Sequence, residues 1–440
     1  MVPSSANGNE VNQATPAAKP DWEIVGLLWG AFFLNQADRQ VFNVVIPLIK
    51  PDLGLNDAQL GLIATTFTLV YSVFVVIGGV LGDVFSRRLV VIASLLLFTV
   101  GTLATGFASS LLLLLIFRGV ATGVGEALYS PAAFALIGET HVKTRARALA
   151  VHQTANYTGI VLGSLAAGWI GQQFGWRNAF YFYGVLGLLW GGIFIWRTKD
   201  RPKPPPRTTS LREQGLLLRR GVRLVFGTPV LLAQLIAFAG LVFSYVGFLT
   251  WMPTLLVERF GLSVASAGFS SVFYHLLLSY VAVLAASAFT DRMVARWPKV
   301  RLLSMSAGLM LCAPFLWAIG GSNSLLVTYL LLAGYGLMRG AYDAGIVSGV
   351  FDRVDDELRA TVLSILFGGG FLIGAASPLL LGILKTQYGL DAGFQLLAAS
   401  ALITGLTLFL VALFDGPKKG GARRRSDRTN SAPTQLAGGD

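Results

Sequence analysis

The feature that most constrains this chain is a succession of long apolar segments separated by short polar breaks. Crossing a bilayer as a helix takes about 20 residues. Segments of that order fall near 23–49, 58–82, 89–107, 111–138, 145–171 and 177–196, then near 225–257, 264–290, 301–320, 324–350, 359–384 and 392–414. They number twelve, six on either side of the polar stretch 197–224. The bilayer core offers no water to an unbonded backbone group, so segments of this length fold as helices. The expectation is an all-α membrane protein with two six-helix bundles, 23–196 and 225–414. Composition agrees: of 440 residues 54% are hydrophobic and 13% charged. Soluble domains carry about 25% charged residues, so the excess apolar surface needs lipid to cover it.

The basic residues set an orientation. Of the 34 Lys and Arg, 27 fall on one side of the predicted spans and four (Lys50, Arg177, Arg259 and Lys385) on the other. Cytoplasmic loops of membrane proteins carry the excess of Lys and Arg, so both termini are expected in the cytoplasm, at a plasma membrane or bacterial inner membrane. The formal net charge of +12 is thereby read as topology signals touching anionic lipid headgroups, not as a nucleic-acid surface. Residues 1–22 are expected as a flexible tail without the basic region and short apolar core of a cleavable signal, which makes the first span a retained anchor. The linker 197–224 and the tail 415–440 read as flexible, basic and cytoplasmic.

Little else points to chemistry of bonds. Cys312 is the one cysteine and lies in an apolar run, which excludes a disulfide framework or a cysteine metal site. His141, His152 and His275 lack metal-ligand spacing. An enzyme would need a nucleophile–base pair or a metal cluster at membrane depth, and neither is readable. The sequence therefore predicts neither an enzyme nor a cofactor.

Charge inside the spans is the informative exception. Asp38 and Arg39 sit mid-way along the first, Arg118 and Glu126 along the fourth, and Arg339 and Asp343 four apart along the tenth. Charged side chains at that depth are expensive and face a partner or a water-filled cavity. Arginine suits a phosphate or carboxylate, while a carboxylate parted from its arginine as the halves rock sheds its cost by taking a proton. Arg339 and Asp343 read first as a pair that satisfies itself, with a second polar contact in the cavity as the alternative. Gly119, Gly123 and Gly125 are expected to let the fourth span approach the first or fifth closely. Tyr129, Asn156, Tyr157, Tyr245, Trp251, Tyr274 and His275 are candidates for the cavity wall, His152 for cytoplasmic water, and Pro131 and Pro253 for kinks.

The halves echo each other. Arg147-Ala148-Leu149-Ala150 opens the fifth span and Arg359-Ala360-Thr361-Val362 the eleventh, each followed by a small-residue stretch (Gly159 to Gly168; Gly368 to Ala376). Such repeats imply a pseudo-twofold axis along the membrane normal, a substrate site between the halves and alternating access. Between spans two and three stands Gly79-Val80-Leu81-Gly82-Asp83-Val84-Phe85-Ser86-Arg87-Arg88, with a shorter echo, Thr290-Asp291-Arg292, after span eight. This loop resembles the cytoplasmic signature of the major facilitator superfamily, with Gly82 and Ser86 departing from the usual Ala and Gly. The resemblance implies a conformational latch made by Gly79, Asp83, Arg87, Arg88, Asp291 and Arg292.

A narrower resemblance rests on Asn35-x-x-Asp38-Arg39, on Arg118 with Gly123-x-Gly125-Glu126-Ala127-x-Tyr129, and on Arg145-Ala146-Arg147-Ala148-Leu149. These stretches look like the Spinster branch of that superfamily. The likeness implies a monomeric, proton-coupled carrier of lysophospholipid- or sphingolipid-like amphiphiles. It assigns Asp38 and Glu126 to the proton and Arg39 and Arg118 to the cargo headgroup. The alternative is a symporter or exporter of small organic anions or drugs, since the same charges suit sugar acids.

Overall fold

The computed structural model describes residues 21–141, 144–199, 211–355 and 357–415, with the side chains of 83–84 and 211–214 outside the description. Among the described residues every regular element is helical. The first six rods are α1 (Trp22–Leu53), α2 (Asp57–Val84), α3 (Arg87–Gly106), α4 (Leu111–Thr140), α5 (Arg145–Phe174) and α6 (Trp176–Arg197). The last six are α7 (Pro229–Phe260), α8 (Val264–Met293), α9 (Val300–Gly321), α10 (Leu325–Phe351), α11 (Arg359–Tyr388) and α12 (Leu390–Phe414). Ten of these rods are long and apolar enough to cross a membrane. The other two, α1 and α5, match them in length at 32 and 30 residues but carry the interior polar side chains that lower their mean hydropathy.

Local chemistry fixes the ends. Asp21 accepts a hydrogen bond from the Ile24 amide to open α1, and Gly54, at φ +60°, closes it in the left-handed region that favours glycine. Asn56 and Gln59 form a reciprocal capping box at the start of α2. Helix runs unbroken through Pro131 and Pro253, and breaks in the winding occur at other places. Residues Leu115–Ala121 of α4 wind as a π-helix, α10 breaks at Ala344–Gly345 after Asp343, and α11 breaks at Ala375–Ala376 ahead of Pro378.

The packing pattern repeats when six is added to each helix number. α1 packs on α5 as α7 packs on α11, α2 on α4 as α8 on α10, and α3 on α6 as α9 on α12. Between the bundles α2 meets α11 while α8 meets α5, a pair of contacts that the same operation exchanges. The small-residue stretches serve this geometry. A Cβ on Gly163 would lie 2.6 Å from the Ala37 Cβ on α1, and one on Gly374 would lie 2.5 Å from Val242 Cγ1 on α7. Any larger residue at either place pushes the rods apart. The glycines of α4 face other partners than expected: Gly119 and Gly123 meet Thr66 and Phe67 on α2, and Gly125 meets Phe98 on α3. The α4 face carrying Arg118 and Glu126 is the one turned to α1, so the glycines fall on the flanks.

The bundles are joined tightly on the face away from the start of α1 and the end of α12. There Lys385 of α11 reaches Asp57 of α2 at 2.9 Å, and the Val264 amide of α8 donates to Gln172 of α5 at 2.9 Å. A Cβ on Gly168 would lie 2.6 Å from the Ala265 Cα across the same junction. On the terminal face, Arg87 pairs with Glu139 inside the first bundle, and Arg301 pairs with Asp291 and Asp352 inside the second. The outward sides of the rods expose Leu189, Leu284, Leu330 and Ile403, each more than half accessible, as a lipid-covered surface requires.

The described residues of the linker from 211 onward are helical where a flexible stretch was expected. Leu211–Gly227 is a helix of 17 residues. Its Gly221 and Val225 side packs on α11, Arg219, Arg220 and Arg223 are exposed on another side, and Leu218, Val222 and Phe226 are exposed between the two. The run of arginines masks this period in a hydropathy reading. The seventh span consequently begins at Pro229, four residues later than expected, where proline suits the first helical turn.

Candidate functional site

The residues at Gln36, Arg39, Gln40 and Asn43 are spaced i, i+3, i+4, i+7 and form one polar stripe along α1. On α2 the same spacing aligns Ala64, Phe67, Thr68 and Tyr71. Both stripes face a central cavity of about 270 Å3. The second bundle closes it with Phe238, Leu241, Val242, Tyr245 and Leu249 of α7, Arg339 and Asp343 of α10, and Phe371 of α11. Arg118 of α4 and Asn156 of α5 complete the wall.

Four charges from α1 and α4 interlock beside this cavity. Arg39 Nε donates to Glu126 Oε2 at 2.9 Å, and Arg118 Nη1 donates to Asp38 Oδ2 at 3.3 Å. The Arg118 Nη2 also donates to the Arg39 carbonyl at 3.0 Å, and its Nη1 lies 3.7 Å from Glu126 Oε1. Asp38, Arg118 and Glu126 are almost wholly buried, at 1%, 2% and 0% exposure. Aromatic faces hold the guanidiniums from the α2 side: Arg39 sits 4.4 Å from the Tyr71 ring centroid and Arg118 sits 4.7 Å from that of Phe67. The π-helical turn falls at Arg118, and such bulges occur mostly at functional sites. Removing either partner of so buried a pair strands a charge and costs about 3–5 kcal/mol.

The cluster has a front and a back. Arg39 and Arg118 reach the cavity wall, whereas Asp38 and Glu126 stand behind them. Asp38 Oδ1 and Arg39 Nη2 have no hydrogen-bond partner among the described residues. All four groups belong to the first bundle, on α1 and α4.

On the far wall, Arg339 Nε lies 3.5 Å from Asp343 Oδ2. Its guanidinium stacks on Tyr245 at 3.6 Å from the ring centroid, and its Nε and Nη1 have no hydrogen-bond partner among the described residues. The pair is therefore close but not self-satisfied.

Several aromatic candidates lie off the wall. Tyr129 donates to the Leu28 carbonyl at 2.6 Å and meets His152 Nε2 at 3.1 Å inside the first bundle. His152 is itself fully buried and stacked on Phe32, not turned to water. Trp251 is buried and donates to the Pro378 carbonyl, and His275 Nδ1 meets the Ser271 carbonyl at 3.0 Å. Tyr274 stacks on Tyr329, and Tyr157 lies edge-on to Tyr280. Packing or a nearby carbonyl engages each of these side chains, as is usual for these residue types, although His152 Nδ1 and His275 Nε2 have no hydrogen-bond partner among the described residues. Asn156 and Tyr245 alone of those candidates reach the wall.

Sequence reasoning passed over Gln36, Gln40, Asn43, Phe67 and Tyr71, although the i, i+3, i+4, i+7 spacing around Arg39 was a readable signal. Of the latch residues, the Asp83 side chain lies outside the described residues. Arg88 donates to Thr198 at 2.8 Å, and a Cβ at Gly79 would meet open space. Arg292 lies in the last turn of α8. No group of three or more His, Cys, Asp or Glu suited to a metal occurs among the described residues.

The family profile described as Major Facilitator Superfamily matches residues 28–340 and 275–437. The hexuronate transporter of Bacillus subtilis is 24% identical over 397 residues, covering 88% of this chain and 93% of that protein. The 4-hydroxybenzoate transporter of Pseudomonas aeruginosa is 28% identical over 441 residues, covering 91% and 94%. Among solved structures, a bacterial homolog of the human lysosomal transporter Spinster, inward-facing and unoccupied, superposes with a TM-score of 0.75 at 21% identity, over 89% of this chain and 95% of that one.

Proposed function

This chain belongs to the major facilitator superfamily and is an integral-membrane transporter working by alternating access, not an enzyme; we propose that its cargo is a small organic anion and its coupling ion the proton. The observation that carries this reading is the cavity of about 270 Å3 whose wall bears Arg39, Arg118 and Arg339. Ligand pockets usually run to about 300–1,000 Å3, so this one suits a compact acid and not a long acyl chain. Relatives named for hexuronate and for 4-hydroxybenzoate support the same cargo class.

The residues divide the work. Arg118 and Arg39 take the cargo acid by charge-assisted hydrogen bonds. Their withdrawal leaves Asp38 and Glu126 as buried anions, and a proton on each removes that cost. Proton entry and cargo binding are thereby linked through shared guanidiniums. With the terminal face cytoplasmic, as the basic residues indicate, the contacts of Lys385 with Asp57 and of Val264 with Gln172 make the outer gate. This arrangement then corresponds to the inward-facing state. Gly79, Asp83, Arg87, Arg88, Asp291 and Arg292 form the opposing cytoplasmic latch, engaged when the outer gate opens. Arg87 and Asp291 meanwhile pair within their own bundles.

The apolar part of the wall, with Phe238, Leu241 and Phe371, favours a second reading in which the cargo is an amphipathic lipid whose tail leaves the cavity. Reconstituted protein distinguishes the two. An inward proton gradient should drive uptake of a labelled sugar acid or aromatic acid, and a protonophore should abolish accumulation. Movement of a lysolipid or sphingoid phosphate, with no uptake of any small acid, assigns the chain to the second reading.

A further inference from the structure

The geometry points to a cargo with two acidic groups, one held by Arg39 and Arg118 of the first bundle and the other by Arg339 of the second, carried together with two protons. This rests on the small-anion reading above and narrows it.

Three observations support it. First, the cavity wall carries three guanidiniums against a single carboxylate, Asp343, because Asp38 and Glu126 stand behind the wall. The face presented to cargo thus has an excess of two positive charges, which a dianion balances. Second, each bundle holds a buried guanidinium donor with no hydrogen-bond partner among the described residues, Nη2 of Arg39 and Nη1 of Arg339, while Arg339 Nε is spent on Asp343 at 3.5 Å. The Tyr245 ring, 3.6 Å beneath the Arg339 guanidinium, occupies its flat face and leaves the edge for a carboxylate. Third, the six ionised groups around the cavity sum to zero when it is empty. A dianion alone would leave two negative charges at membrane depth, which is costly. Protons on Asp38 and Glu126 restore neutrality while freeing Arg118 and Arg39 for the cargo. A monoanion leaves Arg339 unbonded and, with the same two protons, a net positive charge. With both acids protonated the loaded carrier is neutral for a dianion and positive for a monoanion, and a cargo bonded at both ends draws the bundles together.

The test uses the full chain in proteoliposomes under an inward proton gradient, with gluconate and glucarate as probes that differ by one carboxylate. Glucarate uptake should exceed gluconate uptake by about tenfold, the worth of one charge-assisted contact, and should not respond to a potential clamped with valinomycin. Arg339→Gln should bring the ratio to about one. A wild-type ratio near one, a ratio that survives Arg339→Gln, or glucarate uptake that follows the potential overturns the proposal. Gluconate uptake without a glucarate preference leaves the small-anion reading standing, whereas lysolipid movement with uptake of neither acid removes both. The wild-type comparison decides the matter even where the variant fails to fold.

Discussion

Arg39 on α1 and Glu126 on α4, 87 positions apart, meet at 2.9 Å, while Arg118 on α4 reaches Asp38 on α1 at 3.3 Å. Each helix lends its arginine to the other's carboxylate. The crossed arrangement couples two acids to the two guanidiniums that also front the cavity.

Neutralising the acids should uncouple the proton. Glu126→Gln and Asp38→Asn are expected to abolish acceleration of uptake by an imposed pH gradient while cargo exchange across the membrane continues. Counterflow measured beside gradient-driven uptake checks this; a gradient response equal to wild type in both variants would remove these residues from the proton path.

Lys385 holds Asp57 at 2.9 Å and Glu258 at 2.7 Å with its own side chain only 7% exposed. Lys385→Met should therefore weaken the junction proposed above as the outer gate. Losing hydrogen bonds to charged groups costs about 1.5–3 kcal/mol each, enough to shift the outward-facing population tenfold or more. Labelling of a single cysteine placed on the outer cavity wall should rise accordingly, and unchanged labelling would deny the pair a gating role.

Gly168→Ala tests the same junction without touching charge. The added Cβ would stand 2.6 Å from both the Ala265 Cα and the Val264 carbonyl oxygen. Backbone has to move, at about 1–3 kcal/mol for overpacking. Outer accessibility should increase as with Lys385→Met; a drop in melting temperature with no change in accessibility would show that the contact is merely structural.

At the end of α1, beyond its apolar stretch, Asp52 accepts from Arg177 at 2.5 Å and from Trp176 at 3.0 Å. These bonds hold its carboxyl below the usual range. The stabilisation is present above the unfolded value, about 3.9, and is lost as pH falls through the depressed folded value. The Asp52 and Arg177 side chains are 43% and 35% exposed, so solvent screening keeps the effect below about 1 kcal/mol. Melting curves of wild type and Asp52→Asn should differ slightly at neutral pH and converge in strong acid. A difference that grows on acidification would contradict the assignment.

Hydropathy alone determined the spans, the six-and-six division and the polar positions worth watching, because a bilayer admits only internally bonded helices and penalises every charge left within it. Asp38, Arg39, Arg118 and Glu126 were legible for that reason: each violates the apolar pattern of its span. The echo between spans five and eleven was legible too, since only small residues allow α1 and α7 to approach so closely.

Other features depended on which side of a rod faces which neighbour. Helical phase placed Arg39 on the cavity wall and its neighbour Asp38 behind it. It turned the α4 glycines to α2 and α3, and buried Tyr129, His152, Trp251 and His275 against carbonyls or rings. The linker helix escaped notice because its arginines lower the mean hydropathy of a segment whose amphipathic period is intact. Arg339 shows the limit most clearly. Its i, i+4 spacing to Asp343 describes a pair, and only the tertiary structure adds the Tyr245 ring of α7 beneath the guanidinium and places both residues on the cavity wall. Contacts between segments far apart in the chain are set by packing, and no local pattern encodes them.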